Sequence, residues 1–109
     1  MSPATYNLVV EIVRFVDECF PGWVECKFVD AEGHEQTFVD KVSIFSSEML
    51  DATSAYPRMG SVACIVLSRW QDAGGREVAR ISTKTPFLIE STDGLSEFVV
   101  LSQQLSEDH

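Results

Sequence analysis

Turn signals divide this chain into short segments, and their spacing constrains the fold more than any other feature of the sequence. Each signal contains proline or glycine, the residues that most often interrupt regular structure: Pro21-Gly22, Ala31-Glu32-Gly33, Tyr56-Pro57, Gly74-Gly75, Thr85-Pro86 and Asp93-Gly94. The segments between them are rich in valine, isoleucine, phenylalanine and threonine, which favour extended backbone. The pattern therefore predicts a series of β-strands joined by short turns.

The clearest predicted strand pair is a hairpin in the first half of the chain. Residues 23–30 (WVECKFVD) and 36–45 (QTFVDKVSIF) alternate apolar and polar side chains, as half-buried strands do. The loop of residues 31–35 has the length of a hairpin connection, and Gly33 within it can adopt a positive φ. We therefore expect two adjacent antiparallel strands here.

The remaining segments predict further strands and one helix. Residues 6–20 combine helical apolar spacing with five β-branched residues, and we interpret them as a strand, with a helix as the alternative. Residues 46–55 (SSEMLDATSA) predict a short helix capped by Ser46 or Ser47. Strands are also expected within residues 61–70, 76–83 and 95–105, with an extended piece at 88–90 and a frayed end at 106–109.

About six antiparallel strands with short connections can pack in a limited number of ways. We predict an all-β fold, a small closed or partly open antiparallel β-barrel with one short helix, because closure protects strand edges from further pairing. A two-sheet β-sandwich is the alternative. We expect the 109 residues to form a single β-barrel domain, residues 1–109.

Charge disfavours two classes of partner. The chain carries 17 acidic and 8 basic residues, a net charge of −9, and residues 1–55 hold 10 of the acids and 3 of the bases. Nucleic acid and anionic membranes would repel such a surface, whereas a basic protein would be attracted to it. We therefore expect no nucleic-acid partner and no membrane partner.

Cysteine usage and apolar runs bear on the compartment. The N-terminal residues lack the basic stretch of a signal peptide, and the longest apolar run, residues 62–67 (VACIVL), is too short for a membrane helix. The three scattered cysteines, Cys19, Cys26 and Cys64, fit free thiols in a reducing compartment better than a disulfide framework. These features predict a cytoplasmic protein.

Sequence motifs for catalysis or metal binding are missing. His34 and His109 are the only histidines, and neither belongs to a metal-binding or hydrolase motif. The cysteines lie in apolar or acidic contexts, which disfavour the reactive thiolate. We therefore predict that the protein is not an enzyme, that it has no catalytic or metal-binding residues, and that it uses no cofactor.

Aromatic residues near acidic ones are candidates for a protein-binding site. Exposed tryptophan, tyrosine and arginine often anchor protein interfaces, and acidic neighbours would surround them with a polar rim. We predict a partner-binding site made of Trp23, Glu25, Glu32, Tyr56 and Arg58. The alternative is that the tryptophans cap the ends of the barrel core.

Asp40 is an unusual residue within its predicted strand. It falls on the parity of Phe38, so its carboxylate would face the core and need a positively charged partner. Arg69 and Arg80 are candidates for a buried ion pair, because each lies in a predicted strand. A local β-bulge that turns Asp40 to solvent is the alternative. If the pair forms, Asp40→Ala should cost several times more stability than Asp30→Ala.

Five phrases of the sequence are distinctive as a set: FPGWVECKFVDAEG from residue 20, FVDKV, YPRMG, GGREVARIST and IESTDGLSEFVV. They cover most of residues 20–101 and resemble a family of small uncharacterised bacterial all-β proteins. The layout is also similar to the small β-barrels of elongation-factor-Tu-type translation factors. The resemblance implies a barrel fold, and no GTPase activity is carried over from it, since the chain lacks a phosphate-binding loop.

Three functions are compatible with these features. The first is a non-catalytic module that binds another protein, with a homodimer as a further assembly. The second is an inhibitor or immunity-type protein that neutralises a basic partner such as a toxin, with its acidic first half steering association. The third is a small-ligand-binding barrel or an enzyme, with carboxylates and arginines at its mouth.

Overall fold

A single antiparallel sheet of seven strands curls into a half-barrel. The computed structural model describes residues 4–107. Its strands are β1 (Thr5–Asp17), β2 (Trp23–Val29), β3 (Glu35–Lys41), β4 (Arg58–Gln71), β5 (Glu77–Ser82), β6 (Glu97–Leu101) and β7 (Leu105–Glu107). A four-residue helix, α1 (Val42–Phe45), follows β3, and a 3₁₀ turn, Ser102–Gln104, precedes β7. The strand order is β3-β2-β1-β4-β5-β6, with β7 also on β1. The predicted small all-β barrel with one short helix is confirmed.

β1 is the strand that joins the two halves of the sheet. Its residues 5–12 pair with β4, while residues 11–17 pair with β2 and residues 6–8 with β7 on the opposite side. The β-branched side chains, which favoured a strand over the helix that the apolar spacing also allowed, suit a strand paired on both sides. Its interpretation as a strand is therefore confirmed.

Hydrogen bonds outside the strand ladders help the sheet to curl. The backbone N–H of Ala31 donates to the carbonyl of Val99 at 2.9 Å, and that of Thr92 donates to Thr37 at 2.8 Å. These bonds connect the β2–β3 hairpin to the other end of the sheet, at β6 and the loop before it. The two ends of the strand order are thus drawn towards each other.

The core fills the concave side of the curled sheet. Alternate residues of β1, β2 and β6 are buried there, as the period of two in a strand requires, whereas β4 and β5 bury adjacent residues as well. Four phenylalanines meet at its centre with ring centroids 5.2–6.2 Å apart: Phe28, Phe38, Phe45 and Phe98. Two of these four pairs, Phe28–Phe98 and Phe38–Phe98, adopt the edge-to-face geometry that aromatic rings favour.

Three five-residue turns share one hydrogen-bonding pattern: residues 30–34 (DAEGH), 72–76 (DAGGR) and 91–95 (STDGL). In each, the first residue's side-chain oxygen accepts hydrogen bonds from the backbone N–H groups of the third and fifth residues. The fourth residue is glycine, with φ between 79° and 84°, a region that L-residues seldom adopt. Short polar side chains and a glycine therefore close each turn.

The predicted helix at residues 46–55 is wrong in position. The helix lies at residues 42–45 instead, so that β3 ends at Lys41 and not at Phe45. In the 46–55 segment, side chains bond to nearby backbone: Glu48 N–H donates to Ser46 Oγ at 3.0 Å, and Thr53 N–H donates to Asp51 Oδ1 at 2.8 Å. Such local bonds compete with helical hydrogen bonding.

Two smaller predictions also need correction. The extended piece predicted at residues 88–90 is not extended at Leu88, whose φ is 57°, and Ile89 N–H bonds back to the carbonyl of Thr83 at 3.0 Å. Residues 106 and 107 are not frayed but belong to β7, while residues 108 and 109 lie outside the described part of the chain. Within residues 4–107, no helix is long and apolar enough to cross a membrane.

Candidate functional site

Trp23 and Glu25, two of the residues predicted to bind a partner, lie on the outer face of β2. Both are half-buried. The ammonium nitrogen of Lys41 lies 5.8 Å from the centre of the Trp23 ring, and Arg14 Nη2 lies 3.2 Å from Glu25 Oε1. This pair of predicted residues is therefore brought together, but each has a positively charged neighbour of its own.

Tyr56 and Arg58 lie on the other side of the sheet. Arg58 pairs with Ile12 in the β1–β4 ladder, so its side chain leaves the sheet on the face of that core residue, where it forms an ion pair with Glu48. Tyr56 packs against the core and donates its hydroxyl proton to the carbonyl of Asp51 at 2.9 Å. These two residues thus stabilise the loop that precedes β4.

Glu32 lies far from the other predicted residues. It belongs to the turn of residues 30–34, at the opposite end of β2 from Trp23, and six residue steps of extended strand span about 20 Å. Its carboxylate lies 3.9 Å from His34 Nδ1. The five residues of the predicted partner-binding site therefore occupy three separate places.

The predicted buried ion pair is not formed. Asp40 keeps the parity of Phe38, but it lies on β3, three strands from β4, which carries Arg69. Half-buried near the strand end, its carboxylate accepts a hydrogen bond from Lys41 N–H at 2.7 Å and has no ion-pair partner among residues 4–107. Water reaches this position, so burial does not force a positive charge towards it.

The two arginines proposed for that pair have other surroundings. The Arg69 guanidinium lies 5.2 Å from the centre of the Tyr6 ring and donates to Ser102 Oγ at 3.3 Å. Arg80 is exposed. Both arginines are therefore surface residues, and neither contributes to a buried charge pair.

A surface that the sequence analysis missed lies at one end of the half-barrel. Phe20 and Met49 are each 97% exposed, the largest exposure of any large apolar residue among those described. Pro21 is exposed beside Phe20, and Leu50 is buried beside Met49. We call Phe20, Pro21, Met49 and Leu50 the end surface.

The turn between β1 and β2 projects Phe20 into solvent. The Asp17 carboxylate accepts a hydrogen bond from Cys19 N–H at 2.8 Å, and Gly22 N–H donates to the Cys19 carbonyl at 2.7 Å. Gly22 takes a φ of 93°, and its carbonyl accepts a bond from Val42 N–H at 3.0 Å. The turn is therefore tight, and the Phe20 side chain at its tip is directed away from the core.

The loop of residues 46–57 presents Met49. The Arg58–Glu48 ion pair holds one point of the loop, and hydrogen bonds from Thr53 and Tyr56 hold it at Asp51. Between these points, Leu50 is buried at 7% exposure while its neighbour Met49 stays in water. The loop is thus bonded to β4 and to itself on both sides of an exposed methionine.

Two clefts adjoin Phe20. The first cleft, about 300 Å³ in volume, is bounded by Phe15, Glu18, Gly22 and Asp51. The second cleft, about 280 Å³, is bounded by Val42, Ser46, Glu48 and Met49. Both clefts also share walls, and these are three residues of the end surface: Phe20, Pro21 and Leu50.

The charge around these clefts is negative. A backbone N–H of Cys19 lowers the pKa of Asp17, and hydrogen bonds from the Thr53 hydroxyl and N–H lower the pKa of Asp51. Both carboxylates therefore stay ionised well below neutral pH. Neither lysine nor arginine lines either cleft.

The three cysteines have the weakly reactive thiols that the sequence analysis expects. Burial raises the pKa of Cys26 to about 12, with a smaller contribution from Glu25, and burial raises the pKa of Cys64 to about 11. A hydrogen bond with the Asp17 side chain and the charge of that carboxylate raise the pKa of the exposed Cys19. At neutral pH all three are thiols, and a thiol is a poor nucleophile.

One sequence signal pointed towards the end surface. Phe20 precedes Pro21-Gly22 in a turn between two strands, and a large apolar side chain at a turn tip has no strand parity to bury it. Met49 gave no such signal, because the predicted helix would have buried one face of residues 46–55. The error in the helix therefore concealed half of the surface.

No protein-family model, curated protein or solved structure matches this chain. The resemblance of its phrases to a family of small bacterial all-β proteins stays a prediction, and so does the similarity to elongation-factor-Tu-type barrels. The function must therefore be inferred from the residues of the site itself.

Proposed function

We propose that this protein is a non-catalytic protein-interaction module that binds a partner protein through the end surface. The observation that supports this proposal is the near-complete exposure of Phe20 and Met49 beside two apolar clefts. Contiguous exposed apolar residues with a polar rim are typical of protein-binding surfaces. The end surface replaces the site predicted from sequence, whose five residues are dispersed.

Covering these side chains would release a useful free energy. Transfer of a phenylalanine or methionine side chain from water into an apolar interface is worth about 1.5–3 kcal/mol. Aromatic side chains seated in pockets are common energetic centres of interfaces. Phe20 can take this role because its turn is held by backbone hydrogen bonds, which reduces the entropy lost on binding.

The second candidate is an inhibitor or immunity-type protein for a basic partner such as a toxin. The observation that favours it is the charge, a net −9 over the chain with Glu18, Glu48 and Asp51 at the clefts. An acidic surface of this kind raises the rate of association with a basic protein. It comes second because a charged surface alone does not distinguish inhibition from other binding.

A small-ligand-binding barrel or an enzyme has less support. Four phenylalanine rings occupy the concave side of the sheet, where a barrel would hold a ligand. The two clefts lie at the small end of the range for ligand pockets, which is about 300–1,000 Å³. We propose a cytoplasmic location, since free Cys19, Cys26 and Cys64 suit a reducing compartment.

The proposal is tested by capture followed by reconstitution. The tagged full-length protein is incubated with a lysate of the cells that make it, and captured proteins are identified by mass spectrometry. Each is then purified and titrated calorimetrically against the wild type and against Phe20→Ser/Met49→Ser. We expect affinity to fall about tenfold or more in that double variant.

The matched control is Leu67→Ser/Phe87→Ser, which removes two exposed apolar side chains elsewhere. Its affinity should equal that of the wild type. Equal losses in both double variants, or no loss in the end-surface variant, would contradict the proposal. A basic partner whose own activity is blocked on binding would favour the inhibitor function over a simple interaction module.

A further inference from the structure

The two clefts of the end surface define the shape that a partner must have. They share the walls formed by Phe20, Pro21 and Leu50, and their other walls differ. An occupant that fills both clefts must therefore cross these shared residues and place one group in each cleft. A single flat apolar surface would contact Phe20 and leave both clefts empty.

The size of the clefts indicates what those groups are. About 300 and 280 Å³ is small for a metabolite or cofactor pocket, but each volume holds one large apolar side chain. The shared walls are apolar, and the carboxylates belong to the walls that the two clefts do not share. Two side chains of one polypeptide segment match this arrangement better than one rigid ligand does.

The carboxylates that line the clefts indicate which residues lie next to the inserted side chains in the partner. Glu18 and Asp51 border the first cleft, and Glu48 borders the second. Arg58 already binds Glu48, whereas Glu18 is exposed and forms no ion pair among the described residues. Lysine or arginine next to the side chain in the first cleft would therefore meet the negative charges of Glu18 and Asp51, which are unpaired within residues 4–107.

We propose that the occupant of the end surface is a positively charged segment of a partner protein that places one apolar side chain in each cleft. This inference rests on the proposed function and adds the chemistry of the partner. A second copy of this chain would bring the same carboxylates face to face across a two-fold axis. An anionic membrane would be repelled by the same charges.

The probe that tests this inference is a random-sequence peptide library displayed on phage. It is selected on the wild-type full-length protein after depletion on Phe20→Ser/Met49→Ser. Enriched peptides should contain at least two large apolar residues together with lysine or arginine, and should lack acidic residues. Synthetic copies are then titrated by fluorescence anisotropy at low and at high ionic strength.

Two charge variants measure the contribution of the carboxylates apart from that of the apolar residues. Glu18→Lys reverses a charge at the first cleft. It should lower the affinity for the peptides about threefold to fivefold at low ionic strength and have little effect at high ionic strength. Glu97→Lys makes the same change at an exposed residue at the start of β6 and should leave affinity unchanged. Phe20→Ala alone should lower the affinity for every peptide. Circular dichroism checks that each variant is folded.

The outcomes distinguish this inference from the proposed function. Some peptides could require Phe20 and Met49 and yet carry no charge and bind the Glu18→Lys variant normally. That result would contradict a positively charged segment but would agree with binding through the end surface. Peptides that bind the Phe20→Ser/Met49→Ser variant equally well would overturn both proposals. Absence of any enriched peptide would overturn the inference, and so would self-association of the wild type that Phe20→Ser abolishes.

Discussion

The two ends of the half-barrel both reverse the chain between strands, but they do so with different residues. At what we call the turn end, residues 30–34 and 72–76 reverse it in two short polar turns, linked by a hydrogen bond from Arg76 Nη2 to the Ala31 carbonyl at 3.0 Å. At the open end, the chain reverses through a five-residue turn, residues 18–22, and through a longer irregular segment, residues 46–57. The turns of the turn end contain no large apolar side chain, whereas the open end exposes Phe20 and Met49.

This difference indicates that residues which stabilise the sheet and residues which are free to bind a partner lie at different ends of it. At the turn end, side chains bond to their own backbone, which leaves few groups for a partner. At the open end, the backbone is held by hydrogen bonds while two apolar side chains remain in water. We therefore expect substitutions at the turn end to change stability, and substitutions of the exposed residues at the open end to change binding.

The first prediction compares a buried residue at the open end with an exposed one and concerns the largest expected change in stability. Phe45 in α1 is 2% exposed and packs against Phe38, with ring centroids 6.2 Å apart. Phe45→Ala should lower the free energy of unfolding by about 3–5 kcal/mol, because it leaves a cavity in the core. Met49→Ala, nearby in the chain, should change it by less than about 0.5 kcal/mol. Urea unfolding of both variants checks this, and similar losses would show that Met49 is packed in solution.

The next effect concerns the turn end. The Asp30 side chain is 11% exposed and accepts hydrogen bonds from the N–H groups of Glu32 and His34 and from the Gln36 amide, at 2.9–3.1 Å. Asp30→Ala should therefore cost about 1–2 kcal/mol of unfolding free energy. Asp40→Ala should cost less, since its carboxylate accepts one bond from the adjacent residue. A larger loss for Asp40→Ala in urea unfolding would restore the ion pair predicted from sequence.

The turn end was the more predictable of the two from sequence. Gly33 and Gly75 lie where a short turn needs a positive φ, and β2, which leads into the first of these turns, alternates with a period of two. These are local rules, so one sequence suffices to apply them. The strand at residues 5–17 also followed its β-branched content, although helical spacing competed with it.

The open end was less predictable because its conformation depends on particular contacts, some local and some between distant residues, that apolar spacing does not show. Whether residues 46–55 form a helix was decided by Ser46 and Asp51, which bond to nearby N–H groups, and by the ion pair of Glu48 with Arg58. The predicted partner site failed to form one surface for the same reason. Alternation assigns Trp23 and Arg58 to faces, but the pairing of β2, β1 and β4 decides which faces meet.

Acid should weaken the turn end through Asp30. Burial alone would raise the pKa of Asp30, but hydrogen bonds from His34 N–H, the Gln36 amide and Glu32 N–H, with the charge of His34, lower it below the ordinary value of 3.8. A lowered folded-state pKa gives stability that is fully present above pH 3.8 and is lost as pH falls through the folded-state value. Urea midpoints measured on both sides of that pH should therefore fall on acidification.

Single variants show whether this acid sensitivity comes from the turn end or from the open end. Asp30→Asn should flatten the decrease, because the group that gains a proton is removed. Asp51→Asn, at the open end, should flatten it less, because its carboxylate is exposed and screened by water. Asp93→Asn is the control, since that carboxylate accepts no hydrogen bond within residues 4–107. An unchanged pH dependence in Asp30→Asn would mean that other groups cause the acid sensitivity.

The smallest expected effect tests whether the β1–β2 turn is held at the open end as described. Cys19 is exposed, but the Asp17 side chain raises its pKa by a hydrogen bond and by its charge, so the thiol should react slowly with an alkylating reagent at neutral pH. Asp17→Asn removes the negative charge and should accelerate the alkylation of Cys19, because a larger fraction becomes thiolate. Cys26 and Cys64 should react only when the protein unfolds, so they report global stability in the same mass spectrum. If Asp17→Asn leaves the Cys19 rate unchanged, the turn is not closed by this carboxylate, and the fixed position of Phe20 at its tip loses its support.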